Sequence, residues 1–297
     1  MRRATLAVFF TVLAGLAAAA QAPPKLKVYI SADMEGIGGV VTRLQLAPGE
    51  PEYERFREFM TAEVNTAIEA ALEAGASEVV VSDSHGNGQN LLVEKLHPAV
   101  RLVRSWPRPL VMMQGIDETF DAALFIGYHA AEGVPEAILA HTMSGARFLW
   151  IKLNGTTVPE AGVNAAIAGH FGVPVVLIAG DQGIIAQARQ LLGDIEGAEV
   201  KRAYGVTSAM TLHPTAAQKL IRERVRAALR RLKDFKPYRL TTPVTVEIAF
   251  KSIVDAEVLS MMPGVERPEG NVVRFRARDI LEASRFLTVA MFYNAPR

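Results

Sequence analysis

The sequence contains no cysteine. That excludes disulfides, thiolate zinc sites and a cysteine nucleophile, and with them a lipoprotein anchor, which needs a cysteine. Any bound metal must be held by histidines and carboxylates, a donor set that suits zinc or manganese better than copper(I) or iron–sulfur clusters. An excess of charge is lacking too: 32 Lys and Arg against 31 Asp and Glu leave a formal net charge of +1, which makes no electrostatic case for a nucleic-acid partner. There is no H-E-x-x-H helix, no G-x-S-x-G elbow and no Walker loop. The glycines at 36, 38 and 39 do not complete a dinucleotide fingerprint, so NAD is not expected. What remains is a chain of 297 residues, half of them hydrophobic, long enough for one large domain or two smaller ones.

The first residues differ from the rest. Arg2-Arg3 precedes an apolar run from Ala4 through Ala20, followed by Gln21-Ala22-Pro23-Pro24. Residues 1–22 read as a secretory signal peptide, and the cut fits best after Ala20, because a cut after Ala22 leaves proline at the new N-terminus. The alternative is a retained anchor, for which the run is short. Either way the expected location is outside the cytoplasm, periplasmic or secreted, with no stable membrane insertion once the leader is removed.

Four later stretches share one grammar. Val28-Tyr29-Ile30-Ser31-Ala32 runs into Asp33-Met34-Glu35-Gly36, and Glu78 to Val81 runs into Ser82-Asp83-Ser84-His85. Ala122 to Tyr128 runs into His129, and Val173 to Gly180 runs into Asp181. Short apolar runs of this kind are buried strands. In a parallel sheet their carboxyl ends lie along one edge, where open α/β folds bind ligands. Acids and imidazoles at four such ends would meet in space while far apart in sequence.

Helical spacing of Tyr53, Phe56, Met60, Val64, Ala67, Ile68 and Ala71, ended by Gly75, follows the first strand. Arg101 to Arg104 suits a short strand, and Phe148 to Leu153 a strand that reaches the turn dipeptide Asn154-Gly155. Pro159-Glu160 opens a small-residue helix stopped by Gly169 and Gly172; proline suits the first turn and the helix dipole favours the carboxylate there. Residues 216–233 form an amphipathic helix whose arginine-rich side reads as a solvated face. After a proline-containing linker from Phe235 to Thr242, Val244 to Phe250 and Val272 to Ala277 pair as strands, and Ile280 to Tyr293 closes the chain as a helix. The alternation predicts a doubly wound, largely parallel α/β sheet in residues 23–200. Residues 201–297 are expected as a helical linker and a smaller C-terminal α+β portion packed on it.

Asp33 and Glu35 are the sharpest pair: two apart in a strand, they share a face, and carboxylates held that close repel unless a cation or proton lies between them. The bland alternative is a hydrogen-bonded cap on the loop. His85 and His129, at equivalent strand ends beside them, suit zinc ligation. His141, across the loop from Ala130 to Ala140, is a candidate proton shuttle or nucleophile, or a packed loop residue. Asp83 and Asp181 either orient ligand histidines or cap helices. His97 and His213 precede proline and His170 lies between glycines, contexts that read as structural.

With these residues in place, the chain resembles the DppA-type D-aminopeptidases, metallopeptidases with a dinuclear zinc centre. The resemblance covers nearly all of the mature chain. Besides Ser31 to Gly36, Ser82 to His85 and Phe125 to Ala130, it includes Glu94-Lys95-Leu96-His97-Pro98, Pro159-Glu160-Ala161-Gly162-Val163-Asn164-Ala165 and Met262-Pro263-Gly264. It implies two zinc ions bridged by Asp33, one completed by Glu35 and His85 and the other by His129 and Glu160. His141 falls on the family's proposed catalytic histidine, described there as a nucleophile. General acid/base chemistry is the preferred role, since imidazole suits proton exchange near neutrality. The resemblance further implies hydrolysis of short peptides at an N-terminal D-residue such as D-Ala, and a homo-oligomer, in the family a decameric ring. Family members are cytoplasmic, and the leader departs from that pattern. The alternatives are an amidase or phosphoesterase on the same dinuclear site, or an exported solute-binding protein.

Overall fold

The computed structural model describes residues 26–293, so the leader at 1–22 lies outside the described residues. The chain opens with β1 (Leu26–Ala32), α1 (Tyr53–Glu73), β2 (Ala76–Asp83), β3 (Val100–Val103) and β4 (Ala122–Tyr128). Next come β5 (Phe148–Leu153), β6 (Thr156–Thr157), α2 (Glu160–His170), β7 (Val175–Gly180), α3 (Gln182–Leu192) and β8 (Glu196–Glu199). A hairpin of β9 (Lys201–Gly205) and β10 (Ser208–Thr211) precedes α4 (Pro214–Arg230). The tail holds β11 (Val244–Phe250), α5 (Ile253–Leu259), β12 (Val265–Glu269), β13 (Val272–Ala277) and α6 (Ile280–Phe292).

Six strands form a parallel sheet in the order β3-β2-β1-β4-β7-β8. Every residue of β4 and of β7 is buried, as strands covered on both faces require. On one face, Phe56, Met60, Val64 and Ile68 of α1 and Ile221 and Val225 of α4 pack over Val28, Ile30 and Leu124. On the other, α2, α3 and α6 join Tyr29, Phe125 and Ile178. This is the expected doubly wound architecture. Chain order reverses between β1 and β4, which are direct neighbours, so the crevice that such reversals create opens at their carboxyl ends.

The second sheet is antiparallel throughout, in the order β12-β13-β11-β5-β6. Strand pairing therefore crosses position 200 in both directions. Val246 faces Leu153 and Ile248 faces Ile151, so β5 joins the C-terminal strands, while α4 packs on α1 beside the parallel sheet. The Asn154-Gly155 turn does join β5 to β6. Gly169 does not stop α2. The helix runs through it to His170, and the missing side chain serves a close approach instead: a Cβ there would lie 1.9 Å from the carbonyl oxygen of Tyr238. β8 to β10, α5 and β12 are too short to stand out in the sequence, whereas α3, also not expected there, carries a usable signal in the spacing of Ile184, Ile185 and Ala188. Among the described residues no helix is long and apolar enough to cross a membrane.

The β1–β4 crossing is tight. Asp33 N–H donates to the Ile126 carbonyl at 2.8 Å and Gly36 N–H to that of Gly127 at 2.7 Å. Gly127 has φ +75°, and a Cβ on it would lie 2.1 Å from the Asp33 carbonyl oxygen. Gly127→Ala should therefore cost about 3 kcal/mol or more, from left-handed backbone strain plus the clash; urea denaturation reads the loss as a lower midpoint.

Candidate metal centre

Asp33 and Glu35 do not lie within a strand. β1 ends at Ala32, and both carboxylates sit in the turn that follows. The same-face argument from strand alternation thus fails, yet the turn brings both to one point. His85 lies two residues beyond β2 and His129 one beyond β4, on the strands flanking β1. Glu160 is the first residue of α2. All five are at least nine-tenths buried.

Three groupings have ligand atoms within 4.8 Å of one another: Asp33 with Glu35 and His85, Asp33 with His129 and Glu160, and Glu35 with His129 and His141. Asp33 belongs to two of them, one oxygen on each side. Its Oδ1 is 3.3 Å from His85 Nδ1, and its Oδ2 is 3.4 Å from His129 Nε2. His85 Nδ1 also lies 2.8 Å from Glu35 Oε2, and Glu160 Oε1 lies 3.5 Å from His129 Nε2 and 3.7 Å from His141 Nε2. The rings of His129 and His141 stack with centroids 4.1 Å apart.

Each imidazole is anchored on its far side by a main-chain carbonyl. His85 Nε2 meets Leu46 O at 2.8 Å, His129 Nδ1 meets Ala130 O at 3.0 Å, and His141 Nδ1 meets Leu139 O at 2.8 Å. A carbonyl only accepts, so each of these nitrogens carries hydrogen and the other nitrogen is turned into the cluster. Such outer bonds fix the tautomer a metal ligand needs. Asp33 Oδ2 and His129 Nε2 are buried without any hydrogen-bond partner. Two orphaned polar atoms among clustered acids are what a cation would satisfy, and the ligand atoms on offer are all oxygen and imidazole nitrogen, as zinc takes. The residues fit a metal.

Charge state follows from the crowding. Burial and the charge of Glu35 push the Asp33 carboxyl above the usual range. Burial is the largest single influence and acts against ionised Glu35, but the charge and hydrogen bond of His85, with the charges of His129 and His141, together outweigh it and hold Glu35 well below that range; for Glu160, His129 and His141 together do the same and hold it below its ordinary value. Burial opposes charge on His85 and His129 as well and is the largest single influence, yet Glu35 with Asp33, and Glu160 with Asp33, together outweigh it by charge and hydrogen bonding and lift both imidazoles well above their ordinary value. Protons thus neutralise the cluster when no cation does.

Asp83 does not orient a histidine ring. It accepts from the main-chain N–H groups of Asn90 and Leu91 at 2.6 and 2.7 Å, and Asn90 Nδ2 donates to the His85 carbonyl at 2.6 Å, closing the loop that carries His85. Asp181 caps α3 through Ile184 N–H at 3.0 Å and accepts from Ile138 N–H at 2.7 Å, tying down the loop before His141. His213 caps α4, and none of His97, His170 and His213 joins the cluster.

Sequence reasoning missed Lys201. Fully enclosed at the start of β9, its Nζ donates to the carbonyls of Glu35, Ile37 (3.0 Å) and Val40 (2.5 Å), pinning the turn that presents Glu35. Glu63 of α1 accepts from Gly38 N–H in the same turn at 2.9 Å. Burial lowers Lys201 to about 8 and raises Glu63 to about 7. Neither residue carries a local signal: Lys201 stands beside Arg202 in a charged stretch, and Glu63 sits inside a helix rich in glutamate.

Two spaces open onto the cluster, both lined by Glu35, His85 and His141. One is a cleft of about 720 Å³ and the other a cavity of about 120 Å³.

A family model described as D-aminopeptidase matches residues 26–289. The chain belongs to the D-aminopeptidase family. A D-aminopeptidase of Bacillus subtilis (strain 168) is 38% identical over 266 residues, which cover 89% of this chain and 96% of that one. Among solved structures, the fold superposes on the Zn-dependent D-aminopeptidase DppA from Bacillus subtilis, a self-compartmentalizing protease, with a TM-score of 0.86 and 36% identity. That match again covers 89% of this chain and 96% of the other.

Two outcomes follow from the cluster. Metal binding requires imidazole nitrogens free of protons. Because His85 and His129 are lifted above the ordinary range, zinc added to metal-free protein at pH 7 should release about one proton per ligating imidazole. Affinity should weaken as pH falls, since protons and cation compete for the same nitrogens. Titration calorimetry in buffers of different ionisation heat measures this, and no proton release would remove the histidines from the ligand set. Lys201→Met should remove the ammonium donor shared by three carbonyls, of which Ile37 O keeps only the Val40 N–H, costing about 3–5 kcal/mol and weakening zinc binding by about 10–100-fold, read by denaturation and chelator competition.

Proposed function

We propose that the protein is a zinc-dependent aminopeptidase that removes an N-terminal D-residue, such as D-Ala, from short peptides. The observation that carries this is the convergence of Asp33, Glu35, His85, His129 and Glu160 around two orphaned buried atoms in a member of a D-aminopeptidase family. Two zinc ions are the reading that the shared position of Asp33 supports, with Glu35 and His85 on one side and His129 and Glu160 on the other. The amidase, phosphoesterase and solute-binding readings have no relative behind them, whereas the matched proteins carry the aminopeptidase activity.

Zinc supplies Lewis acidity, polarising a carbonyl and bringing the pKa of water toward neutrality. The protein's own residues do the rest. Main-chain carbonyls at Leu46, Ala130 and Leu139 hold the three imidazoles in one orientation, so no reorganisation is needed during reaction. His141 is less enclosed than the ligands, with its side chain 19% exposed. It presents Nε2 to the cluster from the wall shared by cleft and cavity. We assign it the proton transfers: it takes a proton as attack proceeds and gives one to the departing amine.

Export to the periplasm or medium is supported by Arg2-Arg3 and the apolar run to Ala20. Assembly into a homo-oligomer, with a decameric ring as its specific form, draws on the self-compartmentalizing relative.

The decisive measurement combines turnover of D-alanyl and L-alanyl dipeptides with metal content. Chelation should abolish D-alanyl cleavage and zinc should restore it. His141→Ala should lower kcat by about 10²–10⁴-fold with zinc content unchanged; loss of zinc in that variant would make His141 a ligand. Preference for the L-isomer would overturn the stereochemical assignment.

A further inference from the structure

The two spaces beside the cluster differ in size. The larger is bordered away from the cluster by charged groups of both signs, among them Arg43, Glu50, Glu132 and Lys251. At about 720 Å³ it falls in the range of clefts that hold extended ligands. The smaller is bordered away from the cluster by Ser84, Trp106, Met112, Met143 and Met291. Its volume, about 120 Å³, is below the roughly 150 Å³ of an engineered cavity that admits benzene, and bound cations would occupy part of it.

We propose that this smaller cavity receives the first side chain of the peptide, and that Trp106, Met143 and Met291 limit that side chain to a small aliphatic one. The inference rests on the aminopeptidase reading and adds its specificity element. A scissile bond at the cluster lies at the junction of the two spaces, so whatever precedes it must fit the small one and whatever follows can extend along the cleft. One small residue fits on the confined side and a second does not. The geometry thus gives both a size limit on the N-terminal residue and a reason for removing residues singly.

The walls are built to hold this shape. The Trp106 indole donates from Nε1 to the Gly86 carbonyl at 2.9 Å, carries the Arg108 guanidinium 4.2 Å from its centroid and leans on Phe292 at 5.9 Å. Met143 is fixed through its main-chain N–H, which donates to Glu160 Oε1 at 2.6 Å. Met291 comes from the last turn of α6, so this wall is supplied by the C-terminal portion of the chain.

The test compares kcat/KM for D-alanyl-D-alanine and D-leucyl-D-alanine in the zinc-loaded wild type, Met291→Ala, Met291→Trp and Trp106→Leu. The wild type should favour the alanyl peptide. Met291→Ala should raise the leucyl-to-alanyl ratio at least about tenfold, within the range that a few methylenes in an apolar pocket command. Trp106→Leu, from a different segment, should shift the ratio in the same direction, and Met291→Trp should depress cleavage of both peptides while zinc content stays at the wild-type value. Active enzyme with the ratio unmoved in both enlarging variants overturns the cavity assignment and leaves the aminopeptidase reading standing. A zinc-loaded wild type that cleaves neither peptide overturns the two together.

Discussion

Three carboxylates are buried within a few ångströms of each other, and their mutual repulsion is the constraint around which this molecule is arranged. Asp33, Glu35 and Glu160 cannot all be ionised in a dry site unless positive charge stands among them. The protein supplies part of that charge as imidazolium, through His85 and His129, and leaves Asp33 Oδ2 and His129 Nε2 without partners. A divalent cation resolves both deficits at once. It would replace protons on the imidazoles and give the orphaned atoms a partner.

Such a site must be held open against collapse, and much of the surrounding hydrogen bonding does so. Lys201 gathers three carbonyls of the Glu35 turn, Glu63 takes an amide of the same turn, and Asp83 closes the loop after His85. Asp181 does the same for the segment leading to His141. These groups touch no ligand atom of the cluster. They fix main chain, and the main chain in turn fixes each imidazole through a carbonyl on its outer nitrogen. The order of dependence runs from buried charges far from the cluster, through the turns, to the orientation of the ligands.

The topology explains why this can be built at all. β1 and β4 are adjacent where the chain order reverses, so the turns after them face the same crevice, and Gly36 and Gly127 allow their main chains to touch. The antiparallel sheet contributes differently. It delivers α6, and with it Met291, to the far side of the cluster. Most of the ligand set thus comes from the parallel sheet, and part of the cavity wall from the C-terminal segment.

Much of this was legible in the sequence because some physical signals are local. Continuous apolar runs announce strands buried on both faces, helical spacing announces α1 and α6, and an acid or imidazole directly after a buried strand announces a group at a sheet edge. Asp33, Glu35, His85 and His129 stand out as candidates in that way, and Glu160 and the role proposed for His141 through the resemblance. Other features were settled only by tertiary structure, because they are properties of distance and burial. Whether β5 pairs with β4 or β11 depends on a partner almost a hundred positions away. The worth of Lys201 depends on three carbonyls more than 160 residues upstream, and the methionines around the small cavity look like any core residues until their neighbours are known. Sequence alone thus determined which groups end the strands; folding decided which of them meet, which nitrogen each histidine turns inward and how much room is left beside them.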